Sequence, residues 1–297
     1  ASRGLGDVYK RQLYGPGDLR IDIEDLAETE GSHLYKTDYT AISVGTEMSA
    51  FNGEPPLRDG KQYPRLQGYC SVGRIVGTYD KDGQLDTSST HAGRVVVTST
   101  SHRDYAILAN DQILAYVNRG ESKPEDALAY IYHLGLSCQL RLNATFGDNI
   151  FIYGTGIIAQ AAVELLAFQG LSVTSISDNT ARHSLMLKSG ASRILTLGEL
   201  SSIGIRSDIA ILTSNEWSSW FSALESSSYY GKIAVLGFPG RNPKFQPTVN
   251  AIEPRLTYAK QLEIHFCGLL IDRQDRRGIL RRTEAQNMQR IVDLIGD

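Results

Sequence analysis

The segment Asn149-Ile-Phe-Ile-Tyr-Gly-Thr-Gly-Ile-Ile-Ala-Gln160 constrains the fold of this chain more than any other stretch. Ile150 to Tyr153 read as a short strand buried on both faces, because a half-exposed strand would alternate with polar residues. The strand runs into Gly154-Thr155-Gly156-Ile157-Ile158-Ala159, and the pattern then predicts a helix over Ile157 to Phe168. Gly154 suits a tight turn, Gly156 has no side chain to hold an anion off the backbone, and Ala159 lets the helix pack closely on the strand. Unpaired N–H groups and the positive end of the helix dipole favour phosphate at such a start. The loop residues Gly154, Thr155, Gly156, Ile157 and Ile158 therefore read as a pyrophosphate cradle for a dinucleotide. An ordinary tight strand-to-helix turn is the structural alternative.

The surrounding pattern favours the cradle. Leu171 to Ser177 form a second β-rich run that ends at Asp178, 24 residues after Gly154. A carboxylate there accepts hydrogen bonds from the ribose hydroxyls of NAD and repels the 2′-phosphate of NADP. Asp178 could instead cap the helix that follows, although Asn179 is also placed to do so. Arg182 is the residue that could soften the preference for NAD over NADP. Further strands are expected at 192–196, 208–213, 231–236 and 262–268, with a helix over Glu216 to Ser227. This alternation implies right-handed crossovers and a parallel sheet, with the ligand at the carboxyl ends of the strands. Gly154 to Ile157, Asp178, Thr213 to Asn215 and Gly237 to Pro239 would then border one crevice.

The first part of the chain is different. Residues 13 to about 120 carry short alternating runs, such as Leu34 to Ile42 and Arg94 to Ser99, separated by Asn52-Gly53, Asp59-Gly60 and Asp82-Gly83 turns. These predict a compact, barrel-like β unit. A helical segment starts at Pro124 and runs to about Asn143, with Ser122 placed as its cap. The expected organisation of the 297 residues is a non-native segment at 1–12, a β-rich lobe at 13–122, and a linking helix with the nucleotide-binding fold at 123–297.

A formal charge of −3 without Lys/Arg clusters argues against nucleic acid as a partner. No apolar run reaches the roughly 20 residues of a membrane span. Three dispersed cysteines, Cys70, Cys138 and Cys267, suit a reduced, cytoplasmic protein, and no Cys-x-x-Cys pair offers a zinc knuckle.

Several segments together resemble the medium-chain dehydrogenase/reductase superfamily, the relatives of zinc-type alcohol dehydrogenases. They are Ile42-Ser-Val-Gly-Thr-Glu47, Tyr63-Pro-Arg-Leu-Gln-Gly-Tyr-Cys-Ser-Val-Gly-Arg-Ile-Val-Gly77, Ala92 to Val97, the cofactor loop, Asp178 and Tyr230 to Gly237. The resemblance covers nearly all of residues 13–297. It implies an α/β protein with a GroES-like β-barrel lobe and a Rossmann doubly wound parallel sheet. It also implies a homodimer, paired through the strand around Ile264. In complete relatives the chain returns to the β-rich lobe after the final helix, here Thr283 to Ile295, so this chain reads as a fragment. Gly237 to Gly240 match the segment that passes over the nicotinamide, and Asp272 to Gly278 match the loop before the final helix.

Zinc members carry Cys-Gly-Thr-Asp and Gly-His-Glu where this chain has Val44-Gly45-Thr46-Glu47 and Gly68-Tyr69-Cys70. Two expected metal ligands are thus Val44 and Tyr69. Glu47, Cys70 and His133 form an alternative ligand set, but a solvated acid, a buried small side chain and a satisfied histidine are the simpler readings. The expectation is no metal and no zinc. Hydrogen-bond donors must then polarise the substrate, and Thr46 and Tyr69 are the candidates. Tyr69 could equally fill vacated volume. His102, His133, Ser137 and Cys138 are further candidates whose structural roles are simpler.

The expected function is a zinc-independent oxidoreductase that moves a hydride between NAD(H) and a carbonyl, alcohol or activated alkene. A non-catalytic dinucleotide-binding homologue, acting as a redox sensor or structural component, is the alternative. A methyltransferase shares the glycine-rich loop and the acidic strand end, but the leading β lobe argues against it.

Overall fold

In a computed structural model, residues 8–55, 61–237, 239–240, 246–267 and 283–296 are described. The chain divides into two compact units, one of residues 1–130 and 272–297 and one of residues 131–271.

The first unit is built on two antiparallel sheets. Strands β1 (Val8–Gly15), β2 (Asp18–Glu24) and β4 (Arg65–Leu66) form one, in the order β2-β1-β4. The other has the order β8-β3-β5-β7-β9, with β3 at His33–Thr40, β5 at Ser71–Tyr79, β7 at Val95–Thr98, β8 at Tyr105–Leu108 and β9 at Ile113–Val117. A short strand, β6 (Leu85–Asp86), pairs with β5. Tyr35, Ile75, Val96, Ala106 and Leu108 form a buried cluster between these strands. β5 crosses β3 so closely that a β-carbon on Gly73 would stand 2.1 Å from the Lys36 carbonyl oxygen, which makes glycine obligatory there.

Three expectations change here. Residues 8–12, expected within a non-native segment at 1–12, form the first half of β1. They pair with β2 from Val8↔Glu24 to Gln12↔Arg20, and Val8 is buried. An eight-residue helix, α1 (Val44–Phe51), takes up most of the Ile42–Glu47 motif. The final helix, α7 (Glu284–Gly296), expected with the nucleotide-binding fold, belongs to the first unit and packs on β9. Gln289 exchanges two hydrogen bonds with the Tyr116 backbone, at 2.9 and 2.7 Å. Met288, Ile291 and Val292 make its buried stripe. The Asp59-Gly60 turn, residues 268–270 of the last expected strand and the Asp272–Gly278 loop lie outside the described residues.

Pro124–Leu128 form a 3-10 turn that leads into α2 (Ala129–Leu142). Ser122 does not cap it, because its hydroxyl donates to Asp38 at 2.7 Å. Asp126 caps instead by accepting the Lys123 N–H at 2.7 Å, and its buried carboxylate also meets Arg119.

The second unit is a parallel sheet in the order β12-β11-β10-β13-β14-β15, with β10 at Ile150–Tyr153, β11 at Val173–Ile176, β12 at Arg193–Leu195, β13 at Ser207–Leu212, β14 at Ser227–Val235 and β15 at Glu263–Phe266. The strand order reverses between β10 and β13, the switch point where such sheets bind ligands. Alternate residues of β10 feed two different cores. Ile150 and Ile152 join Cys138, Ala162, Val163 and Leu166, whereas Phe151 and Tyr153 join Leu200, Trp220 and Leu224. These partners belong to α2 and α3 (Ile157–Phe168) on one face and to α5 (Leu197–Ile203) and α6 (Trp217–Ser226) on the other. The remaining helix is α4 (His183–Lys188). β15 ends the sheet among the described residues. No helix among them is long and apolar enough to cross a membrane.

Two predictions follow from the packing. Gly73→Ala should cost about 3 kcal/mol in chemical denaturation, since neither backbone segment can yield. His133 is buried on α2, its Nδ1 without a hydrogen-bond partner among the described residues, and burial pushes its pKa down to about 4. The folded state therefore binds fewer protons than the unfolded one, and stability falls as pH drops from about 6.5 toward 4. Between pH 7.5 and 5 the loss attributable to His133 should be about 2 kcal/mol, and His133→Leu should flatten the pH dependence by that amount.

Candidate active site

Two clusters, one in each unit, hold the residues singled out by sequence. The first lies where β10, β13 and β14 end. Gly154 leaves β10 at φ +113°, and its N–H donates to the Ile176 carbonyl at 3.0 Å. A β-carbon there would stand 2.5 Å from Thr213 Oγ1. Thr213 turns inward, with its hydroxyl donating to the Tyr153 carbonyl at 2.8 Å and its N–H at 3.0 Å. Gly237 is buried, and a β-carbon on it would stand 2.4 Å from the Ser214 carbonyl oxygen and 2.5 Å from the Thr213 carbonyl carbon. Gly154, Thr213 and Gly237 are therefore brought together at one edge of the sheet, by backbone crowding.

Gly156 differs from both. It is exposed at the start of α3, and a β-carbon there would meet nothing within 4 Å. Thr155 is buried, Ile157 and Ile158 are half-buried in the first turn, and Ala159 is wholly buried against the sheet. Open space over Gly156 thus adjoins the first turn of α3, whose N–H groups have no partner within the helix.

Asp178 is exposed after β11. It caps neither the turn nor the helix that follows it. Its Oδ1 accepts the Leu197 N–H at 2.9 Å, at the first residue of α5, and Oδ2 takes no partner among the described residues. Arg182 lies on the short turn Thr180–Arg182 and donates from Nη1 to the Thr155 carbonyl at 3.2 Å. This sets a guanidinium on the glycine-rich loop itself, closer to the cradle than its sequence position indicated.

The second cluster belongs to the β-rich unit. Tyr69 donates its hydroxyl to Ser43 Oγ at 2.6 Å, with the Thr46 hydroxyl nearby. Burial pushes the Tyr69 phenol up to about 12, against the smaller opposing effect of the two hydroxyls. It is thus a neutral donor at physiological pH. The edge of the Tyr130 ring packs against it, with centroids 5.4 Å apart at 71°. Glu47 is not a solvated acid. Its Oε1 accepts the Ser43 N–H at 2.8 Å and its Oε2 accepts from His102 Nε2 at 2.9 Å. Neither Tyr130 nor the Glu47–His102 pair was foreseen at this site, because they come from residues far apart in sequence with no motif in common.

The donor set here does not fit a zinc ion. Val44 offers no ligand atom and is exposed on α1. Burial, aided by nearby Glu47, pushes the Cys70 thiol well up, so it is not a thiolate. Glu47 already accepts two hydrogen bonds. No group of three or more His, Cys, Asp or Glu able to hold a metal occurs among the described residues.

No protein-family model matches the chain, and no curated protein matches its sequence. Solved structures do. A short chain alcohol dehydrogenase (rspB) from E. coli CFT073, complexed with NADH, superposes at a TM-score of 0.75 with 15% identity, covering 98% of this chain and 88% of the other. A thermostable alcohol dehydrogenase from Pyrobaculum aerophilum gives 0.72 with 14% identity over 97% and 88%. The chain has the alcohol dehydrogenase fold. A 2R,3R-butanediol dehydrogenase from Bacillus subtilis matches equally, at 0.72 and 14% over 97% and 88%.

The crowding at the strand ends is testable without a substrate. Thr213→Val removes the hydrogen bond to the Tyr153 carbonyl and should cost about 1 kcal/mol in denaturation. Gly154→Ala, strained in φ and in contact, should cost more and should also weaken NADH binding.

Proposed function

We propose that this protein is an oxidoreductase that binds a nicotinamide dinucleotide, with NAD(H) preferred over NADP(H). In this reading it uses hydrogen-bond donors in place of a metal to reduce a carbonyl or activated alkene, or to oxidise an alcohol. The observation that carries the cofactor reading is the open backbone at Gly156, two residues after the tightly closed turn at Gly154. When bound, the dinucleotide supplies or accepts the hydride. Gly156, Ile157 and Ile158 would hold its diphosphate with backbone N–H groups, and Arg182 would add a cation beside Thr155. Asp178 would accept from the ribose hydroxyls with Oδ2, since Oδ1 is engaged with Leu197.

The β-rich unit, read as a GroES-like lobe, would provide the proton. Tyr69 donates to Ser43 in the resting protein, and a substrate oxygen competing for that hydrogen would receive a donor held neutral by burial. Thr46 would hydrogen-bond to the oxygen of Tyr69, or to the substrate, as negative charge develops. The two flanking hydroxyls both stabilise a tyrosinate, which eases release of the proton. We read β15 as the edge through which two copies pair.

Two measurements test this reading. Asp178→Asn keeps an oxygen for the Leu197 N–H while removing the charge. In fluorescence titrations it should shift the NADH/NADPH affinity ratio toward NADPH by roughly tenfold or more, and an unchanged ratio refutes the role of Asp178. Tyr69→Phe should lower turnover on an accepted carbonyl by about a hundredfold with cofactor affinity unchanged. Full activity in that variant refutes Tyr69 as the donor.

A further inference from the structure

We propose that His102 is a positioning residue for the Tyr69 hydroxyl, acting through Glu47 and Ser43. The proposal rests on the reading of Tyr69 as the donor and extends it to a residue 33 positions away in sequence.

The groups close a ring. The Tyr69 hydroxyl donates to Ser43 Oγ at 2.6 Å, the Ser43 N–H donates to Glu47 Oε1 at 2.8 Å, and His102 Nε2 donates to Glu47 Oε2 at 2.9 Å. The ring is completed by packing. The imidazole lies over Gly68, the residue before Tyr69, so closely that a β-carbon on Gly68 would stand 2.8 Å from three of its atoms. Gly68 also has φ +88°, so both its conformation and its contact with His102 require glycine. His102 thus reaches the Tyr69 segment twice, once through Glu47 and Ser43 and once by direct contact with Gly68.

His102 is itself held by β structure. Its N–H donates to the Gln67 carbonyl at 2.7 Å, and its carbonyl accepts the Arg11 N–H at 2.9 Å. It is 6% exposed. A carboxylate and an imidazole set this deep must satisfy one another's hydrogen bonds, and here they do so beside the Tyr69 segment. The ring is not a proton wire. Ser43 meets Glu47 through its backbone N–H and not its hydroxyl, so no proton passes from Tyr69 to His102 along this route. Its effect is geometric. It holds the Ser43 backbone, from which Oγ projects to accept the Tyr69 hydroxyl, and so bears on where the phenol points. A donor must be held within a few tenths of an ångström to act on a developing oxyanion.

The experiment uses the full chain with 13Cζ-labelled tyrosine. The Tyr69 resonance, assigned with Tyr69→Phe, is followed in wild type, His102→Ala, His102→Gln and Glu47→Gln. Turnover on an accepted carbonyl is measured alongside. Gln at position 102 can still donate to Glu47, so it should keep the wild-type shift and most of kcat. His102→Ala should move or broaden the Tyr69 resonance and lower kcat by between about tenfold and a hundredfold, with KM changed little. Glu47→Gln should move the resonance too, and it decides the question if His102→Ala does not fold. A Tyr69 resonance unmoved in a folded His102→Ala or in Glu47→Gln overturns the proposal, as does a His102→Gln no better than His102→Ala. If Tyr69→Phe keeps full turnover, the donor reading fails, and the resonance alone then tells whether His102 holds Tyr69.

Discussion

The second unit depends on how little room is left where three neighbouring strands end. β10, β13 and β14 deliver their chains to the same edge, and no side chain fits between them at Gly154 or Gly237. Thr213 fills the space that remains and satisfies the Tyr153 carbonyl with its hydroxyl. Because the strand ends are closed in this way, the floor is backbone, and the first open position above it is Gly156 at the start of α3. The small residues that follow serve the same closeness. Ala159 is wholly buried, and Gly135 of α2 lies so near Ala162 of α3 that a β-carbon would stand 3.1 Å away. The alcohol dehydrogenase fold thus rests here on positions such as Gly154, Gly237 and Gly135, where a β-carbon would crowd its neighbours.

The β-rich unit shows a different economy. Where the resemblance implies metal ligands there are Val44 and Tyr69, and the acid that remains, Glu47, has been drawn into hydrogen bonds with Ser43 and His102. Burial keeps both the phenol of Tyr69 and the thiol of Cys70 protonated. Protonated donors beside a carboxylate that already accepts two hydrogen bonds are suited to giving a hydrogen bond or a proton. This favours a Brønsted acid over a Lewis acid at this place.

Much of the second unit was legible in the sequence because its signals are local. β10 lies within the predicted apolar run, and α3 spans Ile157–Phe168 as the spacing predicts. Contacts between distant residues were not legible. Nothing near Glu47 announces His102, 55 residues on, and nothing near Asp178 announces that α5 claims one of its oxygens. α1 was missed because Val44-Gly45-Thr46 has poor helix propensity, which the Glu47 hydrogen bond to the Ser43 N–H offsets. The placement of α7 on β9 follows from a buried stripe whose partner no periodicity can name. Residues 8–12 lack an apolar core and a sustained amphipathic pattern, yet they pair with β2 through the backbone, and β1 buries only Val8 and Leu13.

The central claim is that this fold runs nicotinamide chemistry on hydrogen-bond donors. It is tested most directly by following NADH oxidation over a panel of carbonyl compounds, with protein dialysed against a strong chelator and then supplied with zinc. The account predicts turnover that survives dialysis and does not rise when zinc is restored. Turnover that vanishes on dialysis and returns with stoichiometric zinc would contradict it.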